Sequence, residues 1–265
     1  SSVRYAALDA GATDFLKRPI DPVEVKSRLR NLLKLRSAQN ALRDRASWLA
    51  VEVARATQAL VEREKEIIFR LARAAEFRDT DTGSHIVRMA SYCRLIAEAL
   101  GWDKSQCDTF QLAAPLHDVG KIAVPDSILL KPGKLSLEER SVMERHTSQG
   151  ETILSDSECE LIQVAALIAG SHHEQWDGAG YPRGLKGDSI PLVGRIAAVA
   201  DVFDALTTER PYKQAWLPEA ARDYIRERAG SQFDPACVEA FLSRWGDVLA
   251  RWVASRATDR ALTAA

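Results

Sequence analysis

Residues 22–75 contain no glycine, and their apolar positions include Leu42, Ala46, Leu49, Val53, Ala56 and Leu60, in alternating steps of four and three. That spacing lays a stripe along one helix face and predicts a coiled-coil seam. Pro22 suits the first turn of such a helix. The seam breaks at Arg63 and resumes loosely at Ile67, Ile68 and Leu71. One long helix lying on its own domain is the alternative, and the regular alternation favours a seam between two parallel copies over 42–60.

Beyond this stretch the pattern predicts further helices. MASYCRLIAEALGW is amphipathic and stops at Gly101, and FQLAAPLHDVG reads as an apolar helix ending at Gly120. Ser136 and Glu139 form a capping box, which predicts a helix from 136 to about Gly150. LIQVAALIAGSHHE, VGRIAAVADVFDAL, 218–229 and 235–250 complete the helical set, and 251–265 reads as a tail that frays. Residues 177–191 hold four glycines and two prolines and form a loop. Residues 1–21 differ: a helix end stopped by Gly11, then a short strand candidate at 14–16 closed by Pro19, together resembling the tail of an α/β unit.

The chain has 265 residues, 46% hydrophobic and 28% charged, which fits one or two soluble globular domains with a sizeable core. No run approaches the ~18 apolar residues of a membrane span. The first residues show no basic region followed by an apolar one, so no secretory signal is expected. Cys93, Cys107, Cys159 and Cys237 are widely spaced, which suits a reduced, cytoplasmic protein and argues against a disulfide scaffold. The net charge of −1 hides an excess of basic residues in 1–75 and of acidic residues beyond. An acidic body argues against binding a nucleic-acid polymer.

All five histidines fall between 85 and 173. His117-Asp118 is a weak signal alone. His172-His173 closes an apolar stretch before the glycine-rich loop, where unpartnered imidazoles would each cost about 1–3 kcal/mol. His146 lies on the capped helix, and His85 follows Asp81 by four residues, one helical turn. Asp201 sits in the apolar run IAAVADVFDAL, where a lone carboxylate is expensive. Without a metal, five histidines and this aspartate would each need a separate partner. Bound divalent transition metals account for all of them together.

HDVGK (117–121), HHEQWDGAGYP (172–182) and RIAAVADVFDALTTERPYK (195–213) resemble the HD-GYP domain, a metal-dependent phosphohydrolase group acting on the bacterial messenger cyclic di-GMP. RDTDTGSH (78–85), PDSILLKPGKL (125–135) and SQFDP (231–235) fit the same pattern over about 78–242. The resemblance implies an all-α bundle with its metals at the centre. Matched motif by motif, it implies His85, His117, Asp118, His146, His172, His173 and Asp201 as ligands of two ions, iron or manganese before others. Asp81 stands where some members hold a third ion through an acidic residue, often glutamate. It further implies that Asp118 and Lys121 are catalytic and that Lys121, Tyr181, Arg210 and Lys213 contact substrate.

ALDAGATDFLKRPIDPVEV resembles the last part of a response-regulator receiver domain, with Arg18 where that family has its switch lysine. Together these readings give a receiver remnant (1–35), a helical coiled-coil linker (36–75), a catalytic domain (76–250) and a tail (251–265). They imply hydrolysis of cyclic di-GMP to pGpG, with the further cut to GMP left open, in a dimer served by a cognate sensor kinase and diguanylate-cyclase-type partners. Two rivals are an HD phosphohydrolase for another nucleotide and a signalling adaptor that binds with little turnover.

Overall fold

A computed structural model describes residues 2–16, 18–76, 78, 85–209 and 214–263. Among these residues the regular elements are helices and short 3₁₀ turns. There is no β-strand, only an isolated bridge between Ala229 and Phe233. The chain divides into two compact units, Ser1–Arg63 and Glu64–Ala265. No described helix is long and apolar enough to cross a membrane.

In the first unit, α1 (Ser2–Asp9) stops at Gly11, as the sequence predicts. The expected strand at 14–16 is irregular chain, which corrects the α/β reading of this segment. A strand is held by hydrogen bonds to a neighbouring strand, and none lies among the described residues. Instead Asp14 and Glu24 both accept hydrogen bonds from Arg28. Helix α2 (Pro22–Glu76) is one unbroken helix of 55 residues. No described residue of 2–63 is buried, and the seam residues Leu42, Leu49, Val53 and Leu60 are exposed.

The second unit opens with the last turns of α2, which bury Ile68, Ala72, Ala75 and Glu76. Helix α3 (His85–Ala99) is buried on nearly every side, with Ile86, Met89, Cys93 and Ile96 in the core. Helix α4 (Lys104–Ala113) starts at a capping box between Asp103 and Gln106. It ends earlier than predicted. Pro115 lacks the N–H that a continuing helix needs, and the chain tightens into 3₁₀ turns at Ala114–Leu116 and Val119–Ala123. His117 and Asp118 lie between those turns.

After the short α5 (Asp126–Leu129), the predicted box between Ser136 and Glu139 opens α6 (Leu137–Glu144). The helix expected to run to Gly150 breaks at Arg145, and α7 (His146–Leu154) follows. The turn at Val119–Ala123 packs closely against this junction. A Cβ on Gly120 would lie 1.9 Å from the His146 carbonyl oxygen, so the two backbones touch there and only glycine fits. Helix α8 (Glu160–Ala169) ends before His172 and His173, which sit in turns.

Helix α9 (Leu192–Thr207) is buried through Ile196, Val199, Ala200 and Phe203 and packs on α3. Proline opens both α10 (Pro218–Glu227) and α11 (Pro235–Ser243). The stretch 235–250 is divided at Arg244, and α12 (Trp245–Thr263) carries helix through the expected tail.

Candidate metal centre

Three of the five histidines are held at Nδ1 by main-chain carbonyls. His117 Nδ1 lies 3.1 Å from the Ala114 carbonyl, His146 Nδ1 2.8 Å from that of Met143, and His172 Nδ1 3.0 Å from that of Ile168. A carbonyl oxygen only accepts, so each Nδ1 carries the hydrogen and each Nε2 presents a lone pair. These contacts arise where helices end, because the last carbonyls lack helical partners. The broken α6–α7 junction therefore orients His146, and the early end of α8 orients His172.

The lone pairs converge on two groups. Asp118, His146, His172 and His173 offer ligand atoms within 4.8 Å of one another, as do His85, His117 and Asp201. Asp118 joins them. Its Oδ1 lies 3.3 Å from His146 Nε2 and 3.6 Å from His172 Nε2, while its Oδ2 is 3.3 Å from His117 Nε2. His117 Nε2, His146 Nε2, His172 Nε2 and Asp118 Oδ1 are all buried and lack a hydrogen-bond partner. Orphaned ligand atoms in both groups, with Asp118 between them, fit divalent metal ions, whose bonds would replace the missing hydrogen bonds.

The two groups differ electrostatically. Burial pushes the His172 and His173 imidazoles below their ordinary pKa, and neighbouring histidines add to this. Burial acts the same way on His85, but the hydrogen bond and charge of Asp204, with Asp201 and Glu76 behind it, raise its imidazole to about 9. His117 also rises, because Asp118 outweighs the burial that opposes protonation. Asp118 is buried too, yet Lys121 and His117 hold its carboxyl well below the usual range.

Lys121 Nζ lies 2.8 Å from Asp118 Oδ2, one turn away. Arg78 steadies that turn from outside, donating to the carbonyls of Ile122 and Val124. On the other side the glycine-rich loop returns to the cluster. Glu174 accepts hydrogen bonds from the Arg183 and Leu185 amides, and Tyr181 donates its amide to the His173 carbonyl at 3.2 Å. Gly180 makes that return possible, since a Cβ there would lie 2.2 Å from the Gln175 nitrogen. The Tyr181 ring consequently lies 4.8 Å from that of His173, and burial raises its phenol.

Seven of the ligand positions expected from the sequence thus come together: His85, His117, Asp118, His146, His172, His173 and Asp201. Lys121 and Tyr181 border them. Asp81, Arg210 and Lys213 lie outside the described residues. Asp201 is less enclosed than its apolar surroundings suggest, with its side chain 16% exposed and 3.6 Å from His85 Nε2.

Sequence reading missed Asp204. This fully buried carboxylate takes His85 Nδ1 at 2.6 Å and Arg88 at 2.7 and 2.8 Å, which keeps it ionised, with a pKa of about 2 against the pull of burial. Two signals were available: a second aspartate in the run around Asp201, and an arginine three residues after His85. Glu76 was also missed. It is 4% exposed, its Oε2 has no partner, and burial raises its carboxyl.

Comparison with known proteins agrees with this geometry. The chain is 50% identical over 240 residues to the cyclic di-GMP phosphodiesterase response regulator RpfG of Xanthomonas campestris pv. campestris, covering 91% of this chain and 64% of that protein. It is 48% identical over 191 residues to the 3′3′-cGAMP-specific phosphodiesterase 2 of Vibrio cholerae, covering 72% of this chain and 37% of that one. The chain therefore spans less than two thirds of either relative. Among solved structures, a cyclic GMP-AMP specific phosphodiesterase of V. cholerae shares the fold, with a TM-score of 0.55 at 21% identity over 75% of this chain and 52% of that one. The HD-domain family description matches residues 38–237, from within α2 into α11, and by that match the chain belongs to the HD-domain family.

Proposed function

We propose that the chain is a metal-dependent phosphodiesterase that cleaves cyclic di-GMP to linear pGpG, and to GMP after a second cut. One observation carries the reading: buried, unpartnered ligand atoms of His117, His146, His172 and Asp118 converge where a divalent ion would satisfy them. Two ions, iron or manganese before others, would polarise the phosphodiester and bring the pKa of an attacking water to about 7.

The chain's own residues do the rest. Carbonyl anchors at Nδ1 hold the imidazoles of His117, His146 and His172 in one orientation. Asp118 faces both groups and fixes them relative to each other. Lys121 brings positive charge beside Asp118, where it opposes the negative charge that grows on the phosphoryl oxygens. The bond from phosphorus to the ribose 3′ oxygen breaks. Tyr181 borders the nucleotide, and we assign Arg210 and Lys213 to its phosphates from the resemblance of their motif. Asp81 is the position from which a third ion would be held. The names of the relatives support cyclic dinucleotides as the substrate class, and the name of the V. cholerae relative favours 3′3′-cGAMP as a second reading.

The test is metal analysis of anaerobically purified protein beside cleavage of cyclic di-GMP, 3′3′-cGAMP and cyclic AMP. We expect about two ions per chain and preference for cyclic di-GMP. A folded, metal-loaded protein that cleaves none of these would leave the adaptor reading. We also propose a parallel dimer through 42–60, supported by the exposed Leu49 and Val53. Replacing both with glutamate should give a monomer by light scattering, and an unmutated chain that is already monomeric at high concentration overturns it.

A further inference from the structure

Lys121 stands on a short 3₁₀ turn, Val119–Ala123, and the last carbonyls of such a turn lack partners within it. One side chain gathers them. Arg78 donates through Nη2 to the Val124 carbonyl at 2.9 Å and to Asp126 Oδ1 at 2.6 Å. Through Nη1 it reaches the carbonyl of Ile122, with that of Lys121 at 3.4 Å. One planar guanidinium thus serves acceptors from 121 to 126, which a single ammonium could not do. The ion pair adds little, because the Arg78 and Asp126 side chains are 32% and 69% exposed. The bonds to the main chain do the holding.

The inner side of the turn is fixed by a different contact. Gly120 lies so close to the His146 carbonyl that a Cβ would sit 1.9 Å from its oxygen. Arg78 closes the outer side, and between the two Lys121 reaches Asp118 Oδ2 with its Nζ at 2.8 Å. A lysine side chain is flexible, so the place of its ammonium depends on how firmly its backbone is held. Arg78 follows Glu76, the last residue of α2, by two positions, and the family resemblance gives it no role. We propose that Arg78 is a positioning residue for Lys121, fixing its turn from outside with the chain that leaves α2. The inference rests on the charge-stabilising role assigned to Lys121 above.

The experiment measures cleavage of cyclic di-GMP by the metal-loaded chain for wild type, Arg78→Ala, Arg78→Lys, Lys121→Ala and the double variant Arg78→Ala/Lys121→Ala, with ions per chain by mass spectrometry and Tm beside each. In Arg78→Ala we expect kcat to fall about 10–100-fold, with KM and ions per chain as in wild type. Arg78→Lys keeps the charge without the fork and should recover only part of the rate. Because Arg78 acts through Lys121, the double variant should cleave no more slowly than Lys121→Ala. Losses that multiply in the double variant overturn the inference. A merely structural arginine would lower Tm or ion content and leave kcat per loaded chain unchanged, and that result overturns it too. If the alanine variant does not fold, wild-type kcat in Arg78→Lys overturns the inference by itself. Full activity in Lys121→Ala, or a wild type that cleaves no cyclic dinucleotide, overturns both this inference and the reading it rests on. Loss of activity in Lys121→Ala beside wild-type kcat in Arg78→Ala overturns this inference alone.

Discussion

The two halves of the metal centre are built from the same residue types and are prepared in opposite ways. Around His172 and His173, burial dominates and keeps the imidazoles neutral. Around His85 and His117, carboxylates dominate and raise the imidazoles, at His85 to about 9. Neutral imidazole is the form that binds a metal, so the first half accepts an ion without releasing protons, whereas His85 must give one up. At His117 the difference comes from the adjacent Asp118, and at His85 from the residue behind the ring. His172 is anchored by main-chain carbonyls, whereas His85 is anchored by the ionised Asp204, itself clamped by Arg88. An order of affinity between two ions can thus be set by what stands behind the ligands.

The strongest way to break this comparison is Asp118→Ala, which removes the residue shared by both halves. Ion binding to both should fall, and cleavage should drop by about a thousandfold, equivalent to roughly 4 kcal/mol of transition-state stabilisation. Near wild-type turnover by a folded variant would end the metal-catalysis reading. Next in size, His173→Ala should weaken the tighter ion and His85→Ala only the weaker one. Equilibrium dialysis of both variants checks the order, and identical effects would erase the distinction.

Asp204→Asn tests the clamp. Arg88 would be left buried without its charge partner, a loss of about 3 kcal/mol in metal-free stability by urea unfolding. Because the Asp204 carboxyl is depressed to about 2, that contribution is present above the ordinary carboxylate range and fades as pH falls towards 2. The variant's gap from wild type should close over the same window. The smallest effect is a titration of metal-free protein by NMR. His172 and His173 should be neutral at pH 7, and His85 should hold its proton until about 9. The raised value of His85 means that its share of stability is full below about 6.5 and is lost as pH rises through 9. A His85 that titrates near 6.5 would show that Asp204 does not set its charge.

Much of the helical scheme was legible because its signals are local. Ser136 with Glu139 announced the start of α6, and Gly101 the end of α3. The break at Arg145 was not legible, and neither was the close approach of Gly120 to the His146 carbonyl beside it, since the two are distant in sequence. The strand expected at 14–16 failed for the related reason that a strand is a property of a pair. In the candidate metal centre, clustering of all the histidines in one part of the chain and their neighbouring acids pointed to seven residues that the structure brings together in two groups. Glu76 stayed hidden because its stretch reads as linker, and Asp204 because its partner Arg88 is distant in sequence.

The sequence by itself determined which atoms are available. Imidazoles and carboxylates occur in apolar runs where they would be costly without a cation, so a metal centre follows from composition and spacing. Only the tertiary structure decided how those atoms are used. What each histidine faces depends on where helices end and what they meet there, and the carboxylates that packing brings close, Asp204 for His85 and Asp118 for His117, raise its proton affinity against burial. A pKa reports the sum of burial and neighbouring charge, and both are properties of packing that no short stretch of chain contains.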